Sequence, residues 1–386
     1  MQKENVSNSD LVKSHEETIQ KYFADFIVAG KNTLPGSLIL LGDHTHYNEG
    51  LSIAALVDRS VVTSIALSSN KSSKIILDSE NLEIDINLDN HNDNLRADVI
   101  RTAFTFLKNE GFIKNEINCV INYNIPDCFG LGLYSALVYS FTTAVFTVFD
   151  IQLEQTEKLK LVKKIEIASI GKISNRTHHY NYYNQFKNSL LKMDLRLNEA
   201  TPLKFKADEF RIVIVDTGKA IPDIRDTCNS RIEECEVGVK GLKLYIWGIK
   251  SLRDVNKTFL ERHVNMIPKR VYDRVFYNVT ERERVEAALA LIEQDQYDIL
   301  SEIVQQSHDG LKNEYELNYP ELNFLQSAAM NIEGVAASKL ISCSPIKSTY
   351  NIVHVDHVES FQSSIVKRYL EKYGKTPKTF VLKIFS

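Results

Sequence analysis

Cysteine is sparse in this chain. The five cysteines among 386 residues, at 119, 128, 228, 235 and 343, form no close pairs. That spacing argues against a disulfide framework or a zinc ribbon and fits a reducing cytoplasm. Each thiol is expected as a small buried apolar side chain. Positive charge is not in excess either. The formal net charge is −4, and Lys and Arg are spread along the chain, KSSK at 71–74 being too short to form a patch. Nucleic acid is therefore not an expected partner. No run reaches the roughly 18 apolar residues that a membrane span needs, so no membrane partner is expected. The first residues, MQKENVSNSDLVKSHEE, are polar and lack an apolar signal core, so secretion is not expected. Pro/Ser linkers, internal repeats and low-complexity tracts are missing. Two domains in such a chain would share a broad interface rather than a tether. The phosphate-binding patterns GxxxxGK[ST] and GxGxxG are missing as well.

What remains is the composition of a soluble globular protein, with 44% apolar and 25% charged residues. The length allows two domains of ordinary size. Residues 1–15 read as a polar lead-in before a short helix at about 16–29. Segments 38–41, 52–68, 74–77 and 117–123 have strand character, and 81–94 reads as a polar hairpin or loop. Helical spacing marks 95–108, 135–148 and 155–170. RIVIVD at 211–216 reads as a buried strand ending in the turn DTGK. Helices then dominate, over 226–252, 281–294, 296–307 and 321–330. Strands at 348–354 and 379–384 flank a helix at 356–373. The expected class is α+β.

The segment 34–50, LPGSLILLGDHTHYNEG, is an apolar strand running into a turn that holds Asp43, His44, Thr45, His46 and Asn48. Such a polar turn is a common way to build a small-molecule site. Asp43, His44 and His46 are conceivable metal ligands, but no further partner is marked by spacing and no metal is expected. A second turn, IPDCFGLGLYSAL at 125–137, places small residues before a helix, whose free N–H groups can hold a phosphate. Two glycines are weak evidence, and a plain strand-to-helix turn is the commoner outcome. His178 and His179 lie in THHYNYYNQF, a composition suited to stacking on a sugar or, more commonly, to packing between helices.

The 34–50 segment resembles the sugar-recognition signature of galactokinases, P-G-R-x-N-L-I-G-E-H-x-D-Y-N. Other segments agree with the same family, a branch of the GHMP small-molecule kinases. DTGK at 216–219 and NSRIEEC at 229–235 resemble its D-[ST]-G and Y-N-x-R-x-x-E-C. VTERERV at 279–285 resembles its H-V-x-x-E-x-x-R-V helix. SHDGLKNEY at 307–315, followed by PEL at 320–322, resembles S-H-x-S-L-R-x-x-Y and C-P-E-L-D. The resemblance implies a GHMP kinase fold, with a ribosomal protein S5-like N-terminal domain (1–200) and a ferredoxin-like C-terminal domain (201–386).

At the family's catalytic positions the chain departs from the pattern. The signature Arg, which lies close to the transferred phosphoryl group, is Ser37. The catalytic Asp of G-x-M-D-Q-F matches Asn184 in Tyr182–Phe186. An amide cannot take a proton from a sugar hydroxyl. In the phosphate loop P-x-G-x-G-L-S-S-S-A, Pro126, Gly130 and Leu131 survive, while the serine triplet becomes Gly132, Leu133 and Tyr134. The last motif, G-S-K-x-x-G-G-G-F-G-G-C, keeps Ser338 and Lys339 and loses every glycine through Ser342, Cys343, Ser344, Pro345, Ile346, Lys347 and Ser348. On the sugar side, Asp43 stands for a Glu, His44 is kept, His46 stands for an Asp and Cys228 for a sugar-contacting Tyr.

The resemblance thus implies a cytoplasmic galactokinase-like pseudokinase with no catalytic residues. Its substrate-binding set would be Asp43, His44, His46, Asn184 and Cys228, its ligand a sugar or related metabolite, and a protein partner is conceivable. No cofactor is expected on this view. The alternative is an active kinase on another small substrate, redeploying Asp43, Lys339 or Arg176. It would use ATP and Mg²⁺, with Gly130, Gly132, Ser135, Ser338 and Lys339 near the cofactor. A ligand-free interaction protein is the third possibility.

Overall fold

Helix α1 (Asn8–Tyr22) begins earlier than the 16–29 helix expected from sequence. The reason is local. Ser7 and Asp10 form a reciprocal capping box, and Leu11, His15 and Thr18 recur on one buried face. A computed structural model of the chain describes residues 7–86, 94–126 and 130–386. Parts of the expected lead-in and of the 81–94 hairpin, and Cys128, lie outside the described residues.

The chain continues through strands β1 (Gly30–Leu41), β2 (Leu51–Leu67), β3 (Lys74–Leu77) and β4 (Leu82–Ile84). Helix α2 (Leu95–Asn109) and strand β5 (Ile117–Tyr123) follow, then helices α3 (Leu133–Val148), α4 (Gln155–Ile170) and α5 (Arg176–Asn184). Next come strands β6 (Ser189–Asp194), β7 (Glu199–Lys204) and β8 (Phe210–Ala220). Helices α6 (Ile224–Leu242), α7 (Lys257–Arg262), α8 (Lys269–Glu293), α9 (Tyr297–Asn313) and α10 (Pro320–Met330) precede β9 (Val335–Leu340) and β10 (Ile346–His354). Helix α11 (Val358–Tyr373) and strand β11 (Lys378–Leu382) complete an α+β architecture.

The chain divides into two compact units. Unit 1 comprises Met1–Ser37, Val57–Pro126 and Leu131–Gln185. In it the second part of β2 pairs antiparallel with β5 (Val61 opposite Tyr123), β3 runs parallel to β5, and β4 pairs with β3. Helix α3 is apolar nearly all round, and α2, α4 and α5 pack against it. The THHYNYYNQF stretch is therefore largely helix–helix packing: Tyr182 meets Tyr139 of α3 at 5.8 Å between ring centroids.

Unit 2 comprises Leu38–Leu56, Asp127–Gly130 and Phe186–Ser386. Here the first part of β2 pairs with β6, and β6 with β7. A four-stranded antiparallel sheet has the order β11-β8-β10-β9. Val213, Val215, Leu340 and Val353 of this sheet share a core with Cys235, Val275, Leu322, Leu325 and Phe361 of the helices. Strand β8 does not end at DTGK. It runs on to Ala220, because β10 pairs alongside with a register shift between Ile346 and Ser348, and Asp216 Oδ1 accepts the Gly218 N–H at 2.7 Å. The helical pattern of 226–252 stops at Leu242. Leu244 and Trp247 extend its apolar character in sequence but stay 81% and 99% exposed. Among the described residues, no helix is long and apolar enough to cross a membrane.

Candidate functional site

The polar turn after β1 is built inside unit 2. Gly42 has φ +88°, and a Cβ there would collide with the Leu51 carbonyl, so the turn requires glycine. Its N–H donates to Glu281 Oε1 at 3.0 Å. Glu281 is fully buried and also accepts from Ser307 Oγ at 2.7 Å and from Arg284 Nη1 at 2.8 Å. The sequence motifs at 42–45, 279–285 and 307–308 thus meet at one carboxylate.

Asp43 is already engaged. Its carboxylate accepts from Lys339 Nζ and from Ser342 Oγ. Lys339 has no exposed surface and donates also to the Leu40 carbonyl at 3.3 Å, where Tyr350 Oη donates at 2.6 Å. A buried ammonium persists only with such compensation. Lys339 therefore holds the turn closed against β9. The preceding residue, Ser338, is buried, and among the described residues its hydroxyl has no hydrogen-bond partner.

His44 has φ +57°, which turns its side chain off the strand direction. Its Nε2 lies 3.6 Å from Cys343 Sγ, and the donor atoms of His44, Cys228 and Cys343 all lie within 4.8 Å of one another. The cysteines that look isolated in sequence include a close pair in space. Burial pushes the His44 imidazole down to about 4. A hydrogen bond with Cys228, together with burial, raises the Cys343 thiol well above its ordinary range. His46 does not join this group. It opens a short 3₁₀ turn, buried, with its ring edge-on to Tyr47 at 4.8 Å. Asn48 turns inward to Asn278 at 3.1 Å.

Unit 1 holds Ser37, Gly132, Ser135 and Asn184. Ser37 is fully buried, and its hydroxyl faces His178 Nδ1 and Asn181 Nδ2, each at 2.9 Å. Asn184 is not in this group. Its amide folds back on α5 and donates to the Tyr180 carbonyl at 2.8 Å. One helical turn earlier, Asn181 faces Ser37, because a helix presents i and i+3 on neighbouring but distinct positions.

Gly132 has φ +66°, and a Cβ there would approach Tyr182 Oη at 2.5 Å and His178 Nδ1 at 3.0 Å. The space next to this glycine is thus filled by the protein's own side chains, with Tyr182 Oη donating to the Gly132 carbonyl at 2.9 Å. Leu133 is buried at the start of α3. Ser135 donates to Glu166 Oε1 at 2.5 Å, and Glu166 also engages His179 and Ser174. Burial alone would raise the Glu166 carboxyl, but the His179 charge and these hydrogen bonds hold it below its ordinary value. Glu166 carried no mark in the sequence beyond sitting in an amphipathic helix. In unit 2, Gly130 has φ +59°, and a Cβ there would meet Ile341 Cγ2 at 2.5 Å.

The remaining motifs of unit 2 form its frame. Arg231 donates to the Tyr315 carbonyl at 2.8 Å. Arg274 bonds Glu234 at 2.7 Å and Glu316 at 2.5 Å. Glu321 of the PEL segment takes Lys219 at 2.7 Å and Lys347 at 3.0 Å, joining DTGK to the glycine-free loop.

The fold has counterparts among known proteins. A galactokinase from Staphylococcus carnosus is 25% identical over 355 residues, spanning 90% of this chain and 91% of its own. One from Fusobacterium nucleatum is 27% identical over 364 residues, spanning 91% and 92%. Among solved structures, Lactococcus lactis galactokinase complexed with galactose matches with a TM-score of 0.88 at 20% identity, covering 97% of this chain and 98% of its own. Methanococcus jannaschii mevalonate kinase matches with a TM-score of 0.62 at 15% identity, covering 94% and 99%. No family model matches the chain.

Proposed function

We propose that this galactokinase homologue of the GHMP kinase family binds a sugar or related metabolite without transferring phosphate to it. The observation that carries the reading is Ser37, a neutral hydroxyl held by His178 and Asn181 where the resemblance leads one to expect a guanidinium, together with the amide of Asn184 where it leads one to expect a carboxylate. Phosphoryl transfer depends almost entirely on positioning and on stabilising charge. Asn184 cannot accept a proton, and the Ser37 hydroxyl supplies no positive charge to the transferring group. Lost groups of this kind cost about 10²- to 10⁴-fold each.

The phosphate side supports the same reading. The space beside Gly132 is filled by Tyr182 and His178, and Leu133 stands where the family has a serine. On the ligand side, His44 and Asp43 keep the polar turn, and the similar Lactococcus protein is complexed with galactose. On this reading residues 1–200 carry the turn and the altered phosphate loop, and 201–386 form the second domain. A sensing or partner-binding role then follows from ligand occupancy.

The test is an ADP-release assay on the purified chain with ATP, Mg²⁺, galactose and a panel of other sugars. No turnover above a heat-killed control is expected. Steady turnover that is lost in Asp43→Ala overturns the reading in favour of a kinase with redeployed residues. Thermal shift with each sugar, and with ATP and Mg²⁺ separately, tests the binding half. A ligand at about 100 times its Kd stabilises by about 2.7 kcal/mol. No shift with any of them would leave an interaction protein.

A further inference from the structure

We infer that His44, Cys228 and Cys343 form a binding site for a thiophilic divalent ion, Zn²⁺ being the best fit. The three residues come from the polar turn, from helix α6 and from the loop between β9 and β10, all within unit 2. Their donor atoms lie within 4.8 Å of one another, and His44 Nε2 is 3.6 Å from Cys343 Sγ. Tetrahedral zinc with ordinary bond lengths separates a nitrogen and a sulfur ligand by about 3.5 Å and two sulfurs by about 3.8 Å. The observed spacing therefore needs only small side-chain adjustments.

The surroundings suit a metal in three further ways. Two thiolates would cancel the charge of a divalent ion, so loading adds no net buried charge beside the Asp43–Lys339 pair. Soft sulfur donors exclude Mg²⁺ and Ca²⁺, which separates this site from any nucleotide-bound magnesium. The other His44 nitrogen is supported from behind. Tyr47 Oη lies 3.5 Å from Nδ1, and Tyr315 Oη follows at 2.9 Å from Tyr47. Asn278 Nδ2 donates to Tyr315 Oη at 2.5 Å. Such outer partners orient a ligating imidazole. Cys343 is partly exposed, which leaves a way in. Three protein ligands leave a fourth position for water or for a donor atom of a bound small molecule.

Loading is a plain exchange: the ion binds His44 Nε2 and two sulfurs, and each thiol releases its proton to solvent with no change of oxidation state. The experiment is Co²⁺ titration of the full chain after treatment with chelator and reductant. Expected are a thiolate-to-cobalt charge-transfer band and visible bands of tetrahedral intensity, saturating at one ion per chain and displaced by Zn²⁺. Cys228→Ser and Cys343→Ser should each remove the charge-transfer band or weaken it, whereas Cys119→Ser, in unit 1, should leave it. Tyr47→Phe should weaken binding by about 10- to 100-fold while keeping the spectrum. Far-UV circular dichroism of each variant separates lost binding from lost fold. The inference is overturned by the absence of the bands in the folded protein. Bands indifferent to both serine variants overturn it too, as does a thiol count showing Cys228 and Cys343 joined as a reducible disulfide that takes up no metal once reduced. None of these readouts involves phosphoryl transfer, so failure here and failure of the pseudokinase reading are distinguishable.

Discussion

Lys339 shows most clearly how burial sets what a residue does. The resemblance places it near the cofactor, and in the structure its ammonium is fully buried against Asp43, with Ser342 a second donor to the same carboxylate. Removing one member of a buried ion pair leaves the other uncompensated, at a cost of about 3–5 kcal/mol. Lys339→Met should therefore lower stability by that amount in urea unfolding. Asp43→Asn added to it should recover much of the loss, because the orphaned charge is gone. If Lys339 served a nucleotide instead, Lys339→Met would leave unfolding of the ligand-free protein nearly unchanged. At the same scale, Asn181 faces Ser37 while Asn184, one helical turn on, bonds the Tyr180 carbonyl, a distinction that residue type alone does not show.

The elements show where sequence patterns suffice and where they mislead. Strand β5 and helix α4 have the bounds expected of them, because their residue periodicity and their flanking residues agree. Helix α1 was displaced because the apolar spacing of 16–29 outweighed the cap at Ser7. Ser7→Ala should cost about 1 kcal/mol, seen as a lower thermal midpoint, and Ser7→Asp should restore it. Gly42→Ala should be more damaging. Its φ of +88° and the nearby Leu51 carbonyl leave no room for a Cβ, and backbone strain alone costs about 1–3 kcal/mol. Strands β6, β7 and β9 were not marked in the sequence. Their short segments acquire strand character by pairing with neighbours already in place.

For the whole molecule, buried titratable groups predict a two-stage loss of stability in acid. His15 bonds Asn122 and Ser64 through its two nitrogens, and burial pushes it down to about 4. His308 accepts the Leu340 N–H, and burial pushes it down to about 4 as well. The unfolded chain binds these protons first, near pH 6.5. Their contribution is whole above about 6.5 and falls away as pH drops toward 4. Glu321 loses solvent, which would raise it, but Lys219 and Lys347 pull it down to about 2. Its contribution is whole above about 4.5 and is lost as pH falls toward 2. Unfolding free energy measured from pH 8 to pH 3 in the metal-free protein should decline in both windows. Glu321→Gln should flatten only the lower one, and a decline unaffected by that change would contradict the assignment.

Sequence alone determined the α+β class and the similarity to galactokinases, because these are properties of residue type and spacing. It also marked 42–45, 279–285 and 307–308 as separate motifs without showing that they share Glu281. Tertiary structure decided which groups meet. Asp43 and Lys339 are 296 positions apart, and Cys343 reaches His44 across 299. Contacts at such separations are made by chain topology and by the burial of a common core, and local pattern carries no record of them. For the same reason the polar turn reads in sequence as a sugar site and becomes, once folded, a histidine beside two thiols.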